Sequence, residues 1–242
     1  MSGPRQLIIA VLALPLIAAA DTAPDKSGYT LFNRTPASQL RELTTDRPDV
    51  TESPYTVDAG WWQIEMDLAA FTRDRDTLDG ANTKSTSLSV ANLNIKVGLT
   101  NNIDLQTVVS AYTIERDKDF VAHTSDKVSG YSDLTSRLKI NFWGNDDGKT
   151  AFGIMPFVKW PTAQHRMGND KIEGGLIFPL AISLGAGWDM GLTTEFDFVR
   201  NVTDTGYRTD WVNTITVGHD IVGSLGGYVE LTSTVVQGRD RA

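Results

Sequence analysis

The 242-residue chain is predicted to be all-β, a transmembrane antiparallel up-and-down β-barrel, and three observations carry that expectation. Apolar and polar residues alternate with period two in stretches of about 10 to 14 residues, with almost no helical periodicity after Trp61. The polar partners in those stretches are often ionised, whereas a soluble barrel of this size fills its interior with apolar side chains. The connections alternate between short turns and longer polar loops, as in outer-membrane barrels.

Composition removes several other classes. The chain has no cysteine, which excludes disulfide scaffolds and Cys-based metal or thiol chemistry. Twenty-two Lys+Arg against 30 Asp+Glu give a net charge of -8, the wrong balance for a nucleic-acid partner. An aromatic content of 9% is too rich for a disordered chain. No internal apolar run is long enough for a helical membrane bundle.

Residues 1–20 read as a secretory signal peptide. Arg5 supplies the positive n-region, Leu7 to Ile17 an apolar stretch too short to span hydrocarbon, and Ala18 and Ala20 the small residues before a cleavage site. The competing reading is a buried N-terminal helix, which Pro15 and the alanine run fit less well. Export without cysteine points to a bacterial envelope. Residues 21–43 are expected to be a flexible tail, 44–59 a motif segment, and 60–242 the barrel.

Nine strands are expected. Trp62 to Leu68 sets Trp62, Ile64, Met66 and Leu68 against Gln63, Glu65 and Asp67, so one face can meet lipid while the other is charged. Leu134 to Phe142 repeats this with Arg137, Lys139 and Asn141, and Trp188 to Phe198 with Asp189, Glu195 and Asp197. The other six are Leu88 to Leu99, Asn102 to Ile114, Ala151 to Trp160, Glu173 to Leu184, Gly206 to Gly218 and Leu225 to Val236. The alternation slips near Ala91-Asn92, as a β-bulge would produce. Pro156 and Pro179 each remove a ladder donor from the strand that contains them.

The turns at 100–101, 144–148, 185–186 and 219–224 are short. The loops at 72–87, 115–130, 161–172 and 200–205 are mostly longer and more polar, so the first strand is expected to run outward. The ninth then also runs outward, and single-chain bacterial barrels have an even strand count. The expectation is therefore a complete protein of ten or twelve strands, truncated here at its C-terminus. Trp61, Trp62, Phe142, Trp143 and Trp188 fall at inner strand ends and Phe71, Trp160, Phe198 and Tyr207 at outer ends, the placement of two interfacial girdles.

With apolar positions facing lipid, the lumen receives Glu65, Asp67, Asp104, Asp189, Glu195, Asp197 and Glu230 against Lys96, Arg137, Lys139 and Lys159. Opposite walls then carry opposite sign and orient dipolar solutes, or the same groups pair across the lumen and leave little open pore. The segment Thr45 to Val57 carries Asp46, Arg47, Asp49 and Glu52 with Pro48 and Pro54, which favour an extended backbone. It either folds into the lumen as a constriction or forms a periplasmic lead-in to the first strand.

Thr45-Asp-Arg-Pro-Asp-Val-Thr-Glu-Ser-Pro-Tyr-Thr-Val57, leading into Gly60-Trp-Trp-Gln-Ile-Glu65, is similar to the start of a family of bacterial envelope proteins, the outer-membrane proteins of the phenol-degradation MetA-pathway type. Glu173 to Leu180, Trp211 to His219 and Tyr228 to Leu231 resemble later segments of that family. The resemblance runs from about Thr45 to Val236. It implies an outer-membrane β-barrel with a role in uptake or efflux of small molecules, aromatic ones among the candidates, and it brings no catalytic residues. Members of the family continue past the point where this chain stops.

Two other classes compete. A lipid-hydrolase barrel needs an imidazole within reach of a nucleophile, but His123, His165 and His219 show no Ser/Asp partner at a recognisable spacing. A structural or adhesive barrel would rely on its external loops, which are modest and unrepeated. Asp76, Asp79, Asp117, Asp119 and Asp126 fit no calcium loop and read as a solvated acidic surface. No enzyme activity, cofactor or metal is expected. The expected partners are outer-membrane lipid, lipopolysaccharide, a small solute, and the barrel assembly machinery during insertion.

Overall fold

The structure, a computed structural model, describes residues 24–47, 49–77, 80–164, 167–201, 206–223 and 225–237. The expected signal peptide at 1–20 lies outside the described residues, as do Pro48, Asp79 and His165. Ten antiparallel strands form one sheet: β1 (Trp62–Asp76), β2 (Thr83–Thr100), β3 (Ile103–Asp119), β4 (Thr124–Gly130), β5 (Leu134–Trp143), β6 (Thr150–Trp160), β7 (Glu173–Gly185), β8 (Trp188–Arg200), β9 (Tyr207–Val222) and β10 (Leu225–Gln237). Their spatial order is sequential except that β4 pairs only with the outer part of β3. The sheet is an up-and-down meander curled into a half-barrel. Among the described residues β1 and β10 are its two edges and do not touch.

All nine expected strands are present. β4 is the addition: Thr124-Ser-Asp-Lys-Val-Ser-Gly130 has no apolar alternation and reads as loop, but β3 extends to Asp119 and offers it an edge. The same lengthening of β1 and β2 reduces the expected loop at 72–87 to residues 77–82. Both prolines are accommodated by gaps in the ladder. The β5–β6 pairs skip from Arg137↔Phe157 to Ile140↔Ile154 around Pro156, and the β6–β7 pairs skip from Met155↔Ile177 to Phe152↔Leu180 opposite Pro179.

The expected bulge at Ala91 takes another form. Asp67↔Asn92↔Ser110 and Ala69↔Val90↔Tyr112 keep the same register on either side of it, so no residue is inserted. Instead a whole row, Leu68, Ala91 and Ala111, drops out of the ladder, with Ala91 at φ 51°. The apolar phase shifts in all three strands at that row, from Ile64, Leu93 and Leu105 to Phe71, Leu88 and Tyr112. The register of β2 against β3 shifts elsewhere, at Gly98/Thr100.

The two faces differ as the alternation requires. On β1, Ile64, Met66 and Leu68 are exposed while Glu65 is buried. On β5, Lys139 and Asn141 are buried while Phe142 is exposed. This is inverted relative to a soluble sheet, whose ions face water. On β6 and β7, by contrast, the concave side carries Ala151, Met155, Ile177 and Pro179, all buried, so that stretch of the inner wall is apolar.

Candidate functional site

What buries the charged face is the chain's own N-terminal region. Residues 24–43, expected as a flexible tail, make defined contacts along the turn end of the sheet. The buried Lys26 ammonium donates to Asp58 at 3.1 Å and to Asp146 at 2.6 Å, and the Leu31 amide donates to the Leu99 carbonyl at 2.8 Å. The Arg41 guanidinium donates to the Thr56 carbonyl at 2.7 Å and stands 3.2 Å from Asp146. Burial opposes ionisation of Asp146, but the hydrogen bonds from Asn101 and Lys26 outweigh it and hold its pKa below the usual carboxylate value.

The chain crosses onto β2 at Gly98. The Gly60 amide donates to the Gly98 carbonyl at 2.8 Å, and a Cβ on Gly98 would sit 2.1 Å from the Asp58 carbonyl oxygen. Only a residue without a side chain admits this approach.

From there residues 44–58 lie on the concave face and touch seven strands. Asp46 is the centre. Its carboxylate accepts from Lys139 on β5 at 2.8 and 2.9 Å and is in close contact with the Lys96 ammonium of β2, which also reaches Glu65 on β1 at 2.6 Å. The Asp46 amide donates to Glu65 at 3.2 Å, and the Ser53 amide closes the loop onto Asp46 at 3.1 Å. Burial would raise the Asp46 pKa; the two ammonium groups, Lys139 foremost, reverse this and hold it well below the ordinary value. Arg47 pairs with Asp67 on β1.

On the other side Glu230 of edge strand β10 accepts from the amides of Val50 (3.0 Å) and Thr51 (2.7 Å). The Thr51 hydroxyl is linked to Thr214 at 2.8 Å and Thr216 at 2.6 Å on β9. The Glu52 amide donates to the Thr193 hydroxyl on β8 at 3.0 Å, and Gly191 on the same strand leaves room for the Thr51 methyl, 2.9 Å from where its Cβ would be. Asn141 donates to the Pro54 carbonyl and the Val57 amide to Asp104, both at 3.0 Å. The segment thus ties together the two edges that the sheet itself leaves apart.

Glu52 makes the remaining ion pair, accepting from Arg137 at 2.6 Å. Burial pushes the Glu52 pKa up, and the Arg137 charge only partly offsets it. The pair stands between two chambers. The larger, about 540 Å³, lies toward the short turns and is lined by Arg41, Asp49, Tyr55, Asp146, Asp189 and Thr216 among others. The smaller, about 250 Å³, lies toward the long loops and is lined by Arg137, Phe157, Lys159, Glu173, Glu195 and Asp197 among others. Burial, with the nearby carboxylates of Glu230 and Asp46, raises the pKa of Asp49.

The sequence-derived site residues therefore divide. Asp46, Glu65, Lys96 and Lys139 form one cluster of ion pairs, Arg47–Asp67 and Glu52–Arg137 form two separate pairs, and Asp104 and Glu230 accept from backbone amides of the segment. Asp49, Asp189, Glu195 and Asp197 line the chambers and make no ion pair among the described residues. The basic side chains pair mostly with the segment rather than across the sheet, which the sequence does not indicate. It also leaves unmarked the neutral partners Thr51, Gln106, Asn141, Asn145, Thr193, Thr214 and Thr216; the sole hint is the alternate-residue spacing of Thr214 and Thr216 on β9.

Of the histidines, His219 packs its ring against Trp188, with centroids 4.3 Å apart, and His123 sits in the β3–β4 turn. No cluster of three or more His, Asp or Glu arranged to hold a metal occurs among the described residues.

No curated protein and no solved structure matches the chain. The model of the family described as "Putative MetA-pathway of phenol degradation" matches residues 45–242, a span that takes in both the docked segment and every strand. The chain belongs to that family.

Proposed function

We propose that the protein is an outer-membrane β-barrel that passes small molecules passively through a polar interior, with residues 46–57 as its constriction. The single observation that carries this is the Glu52–Arg137 pair, placed where two chambers approach each other from opposite ends of the sheet. The exposed alternation of Ile64, Met66 and Leu68, with Trp62, Phe142 and Trp188 at one end and Phe71, Trp160 and Tyr207 at the other, supports lipid contact and two interfacial girdles. On this reading the leader at 1–20 directs export, assembly machinery inserts the sheet, and the long loops face outward among lipopolysaccharide. The phenol-degradation family supports small compounds, aromatic ones among them, as candidate solutes. Nothing in the reading requires an enzyme activity, a cofactor or a metal.

A second reading is favoured by the pairing of the interior bases with the segment: a structural barrel whose interior stays shut. Liposome swelling and planar-bilayer conductance on the refolded full chain decide between them. Passive passage predicts solute entry that rises when Glu52 or Arg137 is neutralised. Correct insertion with no flux in wild type or in either variant selects the structural barrel, and release of fatty acid from the lipid would select a hydrolase.

A further inference from the structure

Beyond the interrupted row at Leu68, Ala91 and Ala111, the outer parts of β1 to β4 form a flap whose two faces are sorted by chemistry. The registers set Phe71 beside Leu88 and Leu88 beside Ile114, with Val90 beside Tyr112 one step below; Phe71, Leu88, Val90 and Tyr112 are exposed. Two residues farther out on the same face, Arg73 lies in a row with Thr86, Arg116 and Lys127. Two farther again, Arg75 lies directly beside Lys84, and Lys84 beside Lys118. Successive rows are about 7 Å apart. Every acid of these stretches, Asp74, Asp76, Glu115, Asp117, Asp119 and Asp126, takes the alternate position and falls on the opposite face, where the Ser85 hydroxyl donates to Asp117 at 2.6 Å.

Like charges set directly opposite each other on a sheet destabilise it. The six cations make no ion pair among the described residues. Arg75 donates to Asn82 and lies over the Phe120 ring, and neither contact neutralises it. Among the described residues no carboxylate shares the cationic face of the flap, and the apolar row beneath the cations fixes where a counter-anion would come from: phosphates sitting just above acyl chains. Arginine matches phosphate with a two-pronged donor pair, and lysine adds point charge. Clusters of both at a membrane surface attract anionic headgroups.

We propose that this face of the flap is a docking surface for a phosphorylated glycolipid, with the acyl chains against Phe71, Leu88, Val90 and Tyr112 and the phosphates against Arg73, Arg75, Lys84, Arg116, Lys118 and Lys127. The inference rests on the membrane placement proposed above. It goes beyond it by assigning lipid recognition to one face of four strands.

The test is acylation of lysines by an amine-reactive reagent on the full chain refolded into vesicles. One set is phosphatidylcholine alone, the second contains diphosphoryl lipid A, and a third is phosphatidylcholine with free inorganic phosphate. The expected result is a several-fold fall in labelling of Lys84, Lys118 and Lys127 with lipid A only, with Lys149 at an inner turn unchanged. An Arg73→Gln/Arg116→Gln variant that still inserts is expected to lose that protection. Equal labelling in all three sets overturns the docking surface, and so does equal protection by free phosphate, which would mark an ion site indifferent to lipid. A chain that stays in the aqueous phase with every vesicle overturns the membrane reading and this inference with it, a failure that flotation of the vesicles distinguishes from the other two.

Discussion

Glu52 accepts a hydrogen bond from Arg137 at 2.6 Å, joining a segment from before the first strand to the middle of β5. The pair is partly accessible, unlike Asp46 and Lys139 beside it. Among the described residues it is the ion pair of the segment with a chamber on either side, so it is expected to limit passage without being needed for the fold. Glu52→Gln and Arg137→Ala should each raise solute entry in liposome swelling while leaving heat-modifiable gel mobility as in wild type. Unchanged flux in both would remove this pair from the pathway.

Asp46 has the opposite role. Its carboxylate balances Lys96 and Lys139, whose side chains are 3% and 0% exposed. Removing one member of a buried ionic group leaves an uncompensated charge and costs about 3–5 kcal/mol. Asp46→Asn is expected to destabilise the folded protein by that order, read as a lower unfolding midpoint in denaturant. A combined Asp46→Asn/Lys139→Met variant should recover much of the loss, since the surplus charge is gone.

The two carboxylates also titrate in different windows. Glu52 has a folded pKa raised above 4.5, so its contribution to stability is complete below 4.5 and is lost as pH rises through the folded value. Asp46 has a folded pKa lowered below 3.8, so its contribution is present above 3.8 and is lost as pH falls through the folded value. Acidification toward 4.5 should therefore discharge Glu52, free Arg137 and raise flux while the segment stays docked through Asp46. Conductance measured from pH 7 downward, with gel mobility at each point, checks this. A fall in flux over that window contradicts it.

Much of the architecture was legible in the alternation of β1, β5 and β8, because a sheet with apolar side chains on one face and ions on the other writes period two directly into the chain. β4 was not legible because Thr124 to Gly130 buries little and is held by the edge that β3 presents. Nor was the apolar inner wall at Met155 and Ile177, because Pro156 and Pro179 interrupt the pattern there. The acidic and basic side chains of the candidate site were legible as lining. Their partners were not, since Asp46 and Lys139 are 93 residues apart and nothing local joins them. The phase slip at Ala91 was visible; its extension to a three-strand row requires the registers of β1 and β3.

Charge selectivity follows from the same pairing. The interior bases Lys96, Arg137, Lys139 and Lys159 are each engaged by a carboxylate, whereas Asp49, Asp189, Glu195 and Asp197 line the chambers without an ion pair among the described residues. The remaining field is negative and favours cations. In a salt gradient across a planar bilayer the reversal potential should have the sign of cation preference, and Asp189→Asn should move it toward zero. A preference for anions would contradict the assignment.

Gly98 offers a steric test. Its would-be Cβ meets the Asp58 carbonyl oxygen at 2.1 Å, and backbone cannot yield that much without moving the crossing point. Gly98→Val is expected to dislodge residues 57–60 and expose the segment to protease at the turn end. A protease pattern identical to wild type would mean the crossing lies elsewhere.

Residues 46–57 lie inside the curled sheet, and every role assigned to them depends on that placement. The absence of native cysteine allows this to be measured with one engineered pair: the Thr51 and Thr214 hydroxyl oxygens are 2.8 Å apart, so a Thr51→Cys/Thr214→Cys variant is placed for a disulfide. Under mild oxidation of the inserted, folded protein near-complete cross-linking is expected, read as a mobility shift reversed by reductant. A folded protein whose two thiols both remain free and alkylatable would place the segment outside the interior and contradict the account.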